Sequence, residues 1–365
     1  MSMDFIEAMN ELEREKGISK DILFEAIEAA LISSYKRNFN TAQNVRVDMN
    51  RNTGAIKVFA RKMVVEEVLD ERTEISVASA REINPHFQLE DVAEIEVTPR
   101  DFGRIAAQTA KQVVTQRIRE AERGLIYNAF IDKEEDIVTG IVQRQDARNI
   151  YVDLGKVEAV LPLTELMPNE KFNMNERIKA YITKVENTTK GPQIILSRTH
   201  PGLLKRLFEL EVPEIFDGVV EIRSVAREAG FRSKIAVYSR NAEVDPVGSC
   251  VGPRGIRVQT IVGELRGEKI DIVRYSESVE EYVANALSPS KVLEVQVFEE
   301  EKMARVIVPD YQLSLAIGIK GQNARLAAKL TGWKIDIKSE TQAEEEFGRP
   351  REMGEEMHQD SVSVD

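Results

Sequence analysis

The sequence predicts a multidomain α+β protein, and three observations carry that prediction. Helical apolar periodicity runs unbroken from Phe102 past Ala121. Five short alternating segments then follow within residues 135–199. Finally, CVGPRGIRVQTIVGELRGEKIDIV (250–273) is repeated as AIGIKGQNARLAAKLTGWKIDI (316–337), at a period of 66 residues with one residue inserted in the first copy. These give an N-terminal α+β head with a long connecting helix, a five-stranded OB-type β-barrel, and two tandem αββααβ units.

In the head, the pairs Ile22/Leu23, Ala26/Ile27 and Ala30/Leu31 recur every four residues, placing an apolar stripe on a helix that ends near Lys36 and Arg37. Val45, Val47 and Met49 alternate, Asn52-Thr53-Gly54 marks a turn, and Ile56 and Val58 resume the alternation, so a strand pair is expected. EISVA and DVAEIEV read as further strands. Thr98-Pro99-Arg100-Asp101 has the form of a helix start, with Thr as cap and Pro at the first helical position. Arg104, Lys111, Arg117 and Arg119 lie along the helix that follows, a pattern that a solvated helix face would also give. The expected boundaries are a head at 1–125 and a helical connector at 126–134.

From Asp136 the texture changes to IVTGIVQ, NIYVDL, VEAVLPL, RIKAYITKV and QIILSR, with a short helix-like piece between the third and fourth strands. Five short strands with that interruption fit a small closed barrel of OB topology at 135–199. Such barrels lay nucleic-acid bases on aromatic rings. Here Tyr151 is the one evident platform, with Arg144, Arg148 and Lys156 as neighbouring cations. A purely structural barrel fits the alternation equally well.

The duplicated units span 200–276 and 277–340. Each has a helical lead-in, two strands, a short helix, a Gly-x-x-Gly loop, a second helix and a closing KIDI strand. A Gly-x-x-Gly spacing alone has no specificity in a chain with 20 glycines. Specificity comes from its context. Both loops fall between two helices, both carry a cation third (Arg254, Lys320), and both precede KIDI by 13 or 14 residues. Loops without Cβ atoms approach a sugar-phosphate backbone closely, with helix N-terminal N–H groups pointing outward and a cation nearby. This is the KH arrangement, which clamps single-stranded nucleic acid. The candidate residues are Gly252, Pro253, Arg254, Gly255 and Arg257 in the first loop, and Gly318, Ile319, Lys320, Gly321 and Arg325 in the second. A simple helix-to-helix turn would need no recurring cation. Cys250 reads as a small buried residue and Trp333 as core. The short connector predicts that the tandem units pack into one rigid body.

Charge bounds the partners. The net charge is -12, with 19 basic against 25 acidic residues in 1–135, 9 against 8 in 136–199, 20 against 21 in 200–340, and 2 against 8 in 341–365. The acid surplus sits at the two ends, so the neutral middle is compatible with local phosphate binding. At 42% hydrophobic and 31% charged the chain is too apolar to be wholly disordered. No apolar run approaches the roughly 18–20 residues of a membrane helix, and the acidic start is unlike a signal peptide, so a cytoplasmic chain is expected. One Cys and three scattered His leave neither a disulfide framework nor a zinc site, and no cofactor or metal is expected. Gly155-Lys156 is followed by Val157, so it is no phosphate loop, and no nucleophile elbow occurs. An enzyme is not expected.

Taken in order, a head, an S1-type barrel and two KH units resemble the NusA family of bacterial transcription elongation, termination and antitermination factors. The matching text includes FGRIAAQTAKQVVTQRIREAER, IVTGIV, YVDLG, KIAVYSRNAEVDPVGSCVGPRGIRVQ and the second Gly-x-x-Gly segment. The resemblance covers residues 1 to about 340. It implies that the head docks on RNA polymerase near the RNA exit channel while the barrel and KH units receive single-stranded nascent RNA, modulating pausing, intrinsic termination and antitermination. Other antitermination factors are implied as further partners, and a monomer is expected. Lys36, Arg37, Arg104 and Lys111 would face the nascent hairpin. The family's S1 pattern has two aromatics and a His on its nucleic-acid face, whereas Arg148 and Pro162 occupy the first aromatic and the His positions here, leaving Tyr151. Phosphate contact by Arg148 is the corresponding expectation. No acidic repeat domain is expected beyond the KH units, and residues 341–365 read as a disordered acidic tail.

Two other classes fit parts of the pattern. Exoribonucleases similar to polynucleotide phosphorylase carry KH and S1 units, but with KH before S1 and beside large catalytic domains. An RNA-binding accessory or chaperone protein of RNA decay or ribosome assembly would lack polymerase contact, and the head distinguishes it.

Overall fold

The computed structural model describes residues 3–39, 44–168 and 170–347. It divides into two compact units, residues 1–129 with 187–192, and the remainder from Phe130.

The first unit begins with α1 (Met3–Lys16), which composition did not announce, and α2 (Lys20–Asn38). On α2, Leu23, Phe24, Ile27, Leu31 and Tyr35 are buried at helical spacing, while Ile22 is 53% exposed and lies off the stripe. Strands β1 (Val45–Met49) and β2 (Ile56–Val65) pair antiparallel with Val45 opposite Ala60. β3 (Glu74–Ser76) ends where α3 (Val77–Ile83) starts, because the Ser76 hydroxyl accepts from the Ser79 N–H and caps a helix that the EISVA run concealed. β4 (Val92–Glu96) pairs with β2. The long helix α4 (Phe102–Ile131) is continuous through residue 125 and about 45 Å long at 1.5 Å per residue. Its start lies beyond the expected cap. The Thr98 hydroxyl instead accepts from the Val58 N–H at 2.9 Å, tying the chain to β2. Phe102, Ala106 and Ala110 are buried against α2 and the sheet.

The second unit opens with the closed barrel of β5 (Ile137–Gln145), β6 (Asn149–Asp153), β7 (Glu158–Pro162), β8 (Arg177–Thr188) and β9 (Gly191–Ser197), in the order β5-β6-β7-β9-β8. Val142, Ile150, Val152, Leu161, Ile182, Ile194 and Leu196 are buried. A Cβ on Gly140 would stand 2.4 Å from a methyl of Val152, so this strand contact requires glycine.

The first repeat contains α5 (Pro201–Glu211), α6 (Pro213–Phe216), β10 (Val220–Glu228), β11 (Arg232–Ser239), α7 (Pro246–Val251), α8 (Ile256–Glu264) and β12 (Lys269–Arg274). The second contains α9 (Val279–Ala286), β13 (Glu294–Phe298), β14 (Met303–Val308), α10 (Leu313–Ile317), α11 (Gln322–Thr331) and β15 (Lys334–Ser339). In each, the first two strands pair antiparallel and the closing KIDI strand joins parallel to the second. α12 (Glu340–Phe347) follows, so the chain after 340 begins as helix rather than as an unfolded tail. Residues 348–365 of the expected tail lie outside the described residues.

Shared cores join these parts. Met167 and Tyr181 of the barrel pack with Leu203, Leu207, Phe208 and Ile235 of the first repeat. Ala226, Ala236 and Val273 of the first repeat pack with Tyr282, Leu326 and Leu330 of the second. Two buried ion pairs reinforce the first junction. Arg198 donates to Glu170 at 2.6 Å and to the Glu264 carbonyl at 2.9 Å. Glu268 has no exposed surface and accepts from Arg227 Nε and Nη2 at 2.9 Å each, the Ser233 hydroxyl at 2.6 Å and the Gly230 N–H at 2.8 Å. Arg227 Nη1 continues to the His200 carbonyl at 2.8 Å, and its Nη2 crosses to Met167 Sδ of the barrel at 3.3 Å. At the second junction, buried Lys234 donates to Asp271 at 3.0 Å and to the Ser288 carbonyl at 2.7 Å. Burial pushes the Asp271 carboxyl up, but the Arg232 hydrogen bond and the Lys234 charge outweigh it and hold it below its usual value.

Removing one partner of a buried pair strands the other charge, so Glu268→Ala should lower the unfolding free energy by about 3–5 kcal/mol. Urea denaturation measures it, and a change under about 1 kcal/mol would show that Arg227 finds another partner. Because Asp271 has a depressed folded-state pKa, its stabilisation is present above the unfolded value of about 3.9 and is lost as pH falls through the folded one. Asp271→Asn should therefore reduce stability at neutral pH and flatten the acid limb of the stability–pH curve. An acid limb of unchanged slope would contradict this.

Candidate nucleic-acid interface

The two Gly-x-x-Gly loops have the same backbone. Gly252 (φ 73°, ψ 173°), Arg254 (54°, 23°) and Gly255 (77°, 12°) match Gly318 (76°, 171°), Lys320 (51°, 29°) and Gly321 (74°, 17°). The first glycine of each lies where essentially only glycine goes. A Cβ there would meet Arg257 at 2.6 Å in the first loop and the Asn323 backbone nitrogen at 2.8 Å in the second. The cation and the second glycine of each loop are left-handed, a conformation that costs a side-chain-bearing residue about 1–2 kcal/mol. Internal bonds repeat as well: the Gly255 N–H donates to the Gly252 carbonyl and the Gly321 N–H to the Gly318 carbonyl, at 3.1 Å each.

The loops end at glycines that cap α8 and α11 without a side-chain acceptor. Elsewhere, the Asp245 carboxylate caps α7 and the Ser278 hydroxyl caps α9. The first-turn N–H groups of α8 and α11 therefore have no side-chain cap among the described residues. Arg254 and Lys320 are exposed, and among the described residues neither side chain has a hydrogen-bond or ion-pair partner. Ile319 is 86% exposed.

Arg257 and Arg325, expected at the same surface, make contacts within the protein. Arg257 Nη1 donates to the Ser249 carbonyl at 2.6 Å and to Glu214 at 2.9 Å. Arg325 Nη1 donates to the Lys320 carbonyl at 2.9 Å, while its Nε and Nη2 bond Glu228. Both are struts of their loops, a role that spacing could not distinguish from ligand contact. Glu228 and Asn323 were not anticipated. The buried Asn323 amide donates to the Ala316 and Leu287 carbonyls at 3.0 Å each, occupying in the second repeat the position of Arg257 in the first. The Arg325 hydrogen bond holds the Glu228 carboxyl below its usual range. Cys250 is buried on α7, and Trp333 packs against the core of the second repeat.

On the barrel, Tyr151 lies on β6, but the Arg144 guanidinium stacks 3.4 Å over its ring and donates to Glu158 at 2.6 Å. The Tyr151 hydroxyl donates to Asp146 at 2.9 Å. One face of the expected base platform is covered, and Arg144 is committed within the protein. Arg148 and Lys156 are exposed, with no side-chain partner among the described residues.

In the first unit, Tyr35 packs edge-on against Phe102 and the Thr109 hydroxyl reaches the Ser34 hydroxyl, setting the last turn of α2 beside the start of α4. Lys36, Arg37, Arg104 and Lys111 thus lie exposed on adjoining helix segments. Arg117 is paired with Glu120 at 3.0 Å, whereas Lys111 and Arg119 line a shallow groove with Gln108, Gln112, Thr115 and Gln116. Among the described residues no helix is long and apolar enough to cross a membrane, and no group of His, Cys, Asp and Glu could hold a metal ion.

Four family models match the chain: the NusA N-terminal domain over residues 4–124, the S1 RNA binding domain over 131–198, and the NusA-like first and second KH domains over 198–275 and 279–345. Curated relatives named transcription termination/antitermination protein NusA include one from Halalkalibacterium halodurans, 75% identical over 94% of this chain and 90% of its own length. Another, from Bacillus subtilis, is 71% identical over 97% and 96%, and one from Thermus thermophilus is 43% identical over 92% and 89%. The chain belongs to the NusA family. Its fold is accordingly the NusA head, S1 barrel and KH pair, and the two Gly-x-x-Gly loops lie within the NusA-like KH matches.

The loop geometry makes the two glycines of each motif unequal. Gly321→Asn places a tolerated left-handed residue in nearly open space, and its effect on stability should stay under about 1 kcal/mol. Gly318→Asn combines a glycine-only conformation with a backbone clash and should destabilise by about 2–3 kcal/mol. Thermal unfolding of the two variants compares them, and equal effects would contradict the loop geometry.

Proposed function

We propose that this NusA-family chain holds nascent RNA against RNA polymerase and so modulates pausing, intrinsic termination and antitermination, acting as a binding protein rather than an enzyme. The observation that carries the RNA side is the pair of loops with one backbone geometry. Each presents an uncapped helix N-terminus and an unpartnered cation, Arg254 or Lys320, and the two repeats share a core. Phosphate oxygens supply the acceptors that no side chain provides at either helix end. Gly252, Pro253, Gly255, Gly318, Ile319 and Gly321 form the close-approach surface, while Arg257 and Arg325 shape it.

The barrel adds Arg148 and Lys156 as phosphate contacts along the same strand of RNA, with Tyr151 secondary because Arg144 covers it. The head docks on polymerase and turns Lys36, Arg37, Arg104 and Lys111 toward RNA leaving the enzyme. Arg119 and the α4 groove extend that basic surface.

Two measurements test this. Replacing Arg254 and Lys320 together by Ala should weaken binding of a single-stranded RNA oligonucleotide by about 10-fold or more and reduce the slope of log K against log salt by about 1–2. Unchanged affinity and slope would remove the loops from the interface. Deleting residues 1–125 should abolish co-purification with polymerase and spare RNA binding. A full-length chain that does not bind polymerase would overturn the polymerase half of the proposal.

A further inference from the structure

The second RNA-facing loop is held by a residue of the other repeat. Glu228 ends β10 in the first repeat, yet its carboxylate accepts from Gln322 Nε2 at 2.8 Å, Arg325 Nε at 2.9 Å and Arg325 Nη2 at 2.8 Å. The remaining terminal nitrogen, Nη1, donates to the Lys320 carbonyl at 2.9 Å. Every nitrogen of the Arg325 guanidinium is therefore engaged, and the rigid fork connects a strand end of one repeat to the backbone of the left-handed cation in the other. Only a planar group with spread donors makes both connections at once.

The duplication supplies an internal comparison. The first loop is braced by Arg257 acting with Glu214 and the Ser249 carbonyl, all within its own repeat. At the position of Arg257 the second repeat has Asn323, and at the position of Arg325 the first repeat has Gln259. The cross-repeat brace is thus absent from the pattern the two copies share. Its strength does not explain its placement: the Arg325 side chain is 57% exposed and that of Glu228 27%, the range in which an ion pair adds little to stability. A carboxylate beside a phosphate-binding loop also opposes the loop's charge. What the arrangement does achieve is to fix the carbonyl direction, and with it the left-handed turn, at Lys320.

We infer that Glu228 is a positioning residue for the second loop: acting through Arg325, it keeps Lys320 in its RNA-receiving conformation only while the first repeat is docked, so that the two loops engage one RNA strand as a unit. This rests on the reading that the loops bind RNA phosphates. The Lys320 carbonyl, left without its donor, would sample other orientations, and the cation with it. The first loop would be unaffected.

The test uses the full chain and a labelled single-stranded RNA oligonucleotide, with affinity measured across a salt series for Lys320→Ala, Glu228→Ala, Glu228→Gln, Arg325→Ala, and the Glu228→Ala/Arg325→Ala double variant. Lys320→Ala should weaken binding and lower the salt slope by about one, because a phosphate contact is removed. Glu228→Ala should weaken binding several-fold with its salt slope unchanged, since no cation is lost. Glu228→Gln, whose amide oxygen still accepts, should fall between Glu228→Ala and the parent, and it carries the test if the alanine variant misfolds. The double variant should be no weaker than either single variant, as expected for two parts of one brace. If Lys320→Ala changes nothing, the phosphate reading of the loop fails. If Lys320→Ala weakens binding while Glu228→Ala leaves it unchanged, or tightens it with a steeper slope as a released Arg325 would, the positioning role is overturned and the loop reading stands.

Discussion

Glu268 is a fully buried carboxylate whose oxygens accept bonds from an arginine, a hydroxyl and a backbone amide. Its partner Arg227 spans from β10 to the His200 carbonyl at the entry to α5 and to Met167 Sδ of the barrel at 3.3 Å. Such a group is tolerable only if the surrounding chain is held in place, since each lost bond would leave a charge in a low dielectric. The barrel and the first repeat are therefore tied together at this point as well as through their shared core. The next residue along β10, Glu228, reaches the second repeat. Two consecutive side chains of one strand, which point to opposite faces by the pleat, set the first repeat against the barrel on one side and against the second loop on the other.

That arrangement explains how a chain of net charge -12 is compatible with phosphate binding. Many of its basic residues in the second unit are consumed internally. Arg144, Arg198, Arg227, Arg232, Arg257 and Arg325 all pair with carboxylates of the same unit. Among the described residues Arg254, Lys320, Arg148 and Lys156 are left without a side-chain partner, as are Lys171, Arg177, Lys205 and several other lysines, but Arg254 and Lys320 stand beside helix N-termini that no side chain caps. Local field at a loop is set by the charges next to it and the helix dipoles, with distant acid screened beyond roughly 8–10 Å. A whole-chain count cannot separate struts from free cations.

The same distinction marks what was legible in the sequence. Strand alternation in the barrel, the αββααβ order of the repeats and the periodicity of α2 and α4 were all readable, because each reports burial on a fixed period. The short helix α3 was not, since its capping serine sits inside a run that looks like a strand. Thr98 misled because a hydroxyl before a helix serves equally well as an acceptor for a neighbouring strand, and here it bonds Val58. The loops were legible as Gly-x-x-Gly with a third-position cation. The left-handed setting of that cation, and the partners that turn Arg257 and Arg325 into struts, depend on residues about 40 and 100 positions away, Glu214 and Glu228. Tyr151 fell in the same class: its residue type suggested stacking, and only the cross-strand Arg144–Glu158 pair shows that one face is taken.

The duplication shows how two copies of one loop come to work under different constraints. Both copies share a backbone path because the first glycine of each sits in a region closed to other residues and the loop must turn one helix into the next. The bracing is free to diverge, provided something satisfies the carbonyls that the turn exposes. In the first copy an arginine does this with an acid from its own lead-in helix. In the second, a buried asparagine takes the inner carbonyls and an arginine the outer one, with its counter-charge supplied across the boundary between repeats. The first loop is thus complete within its own repeat, whereas the second is complete only in the tandem, which ties its geometry to the order in which the two repeats are arranged along the chain.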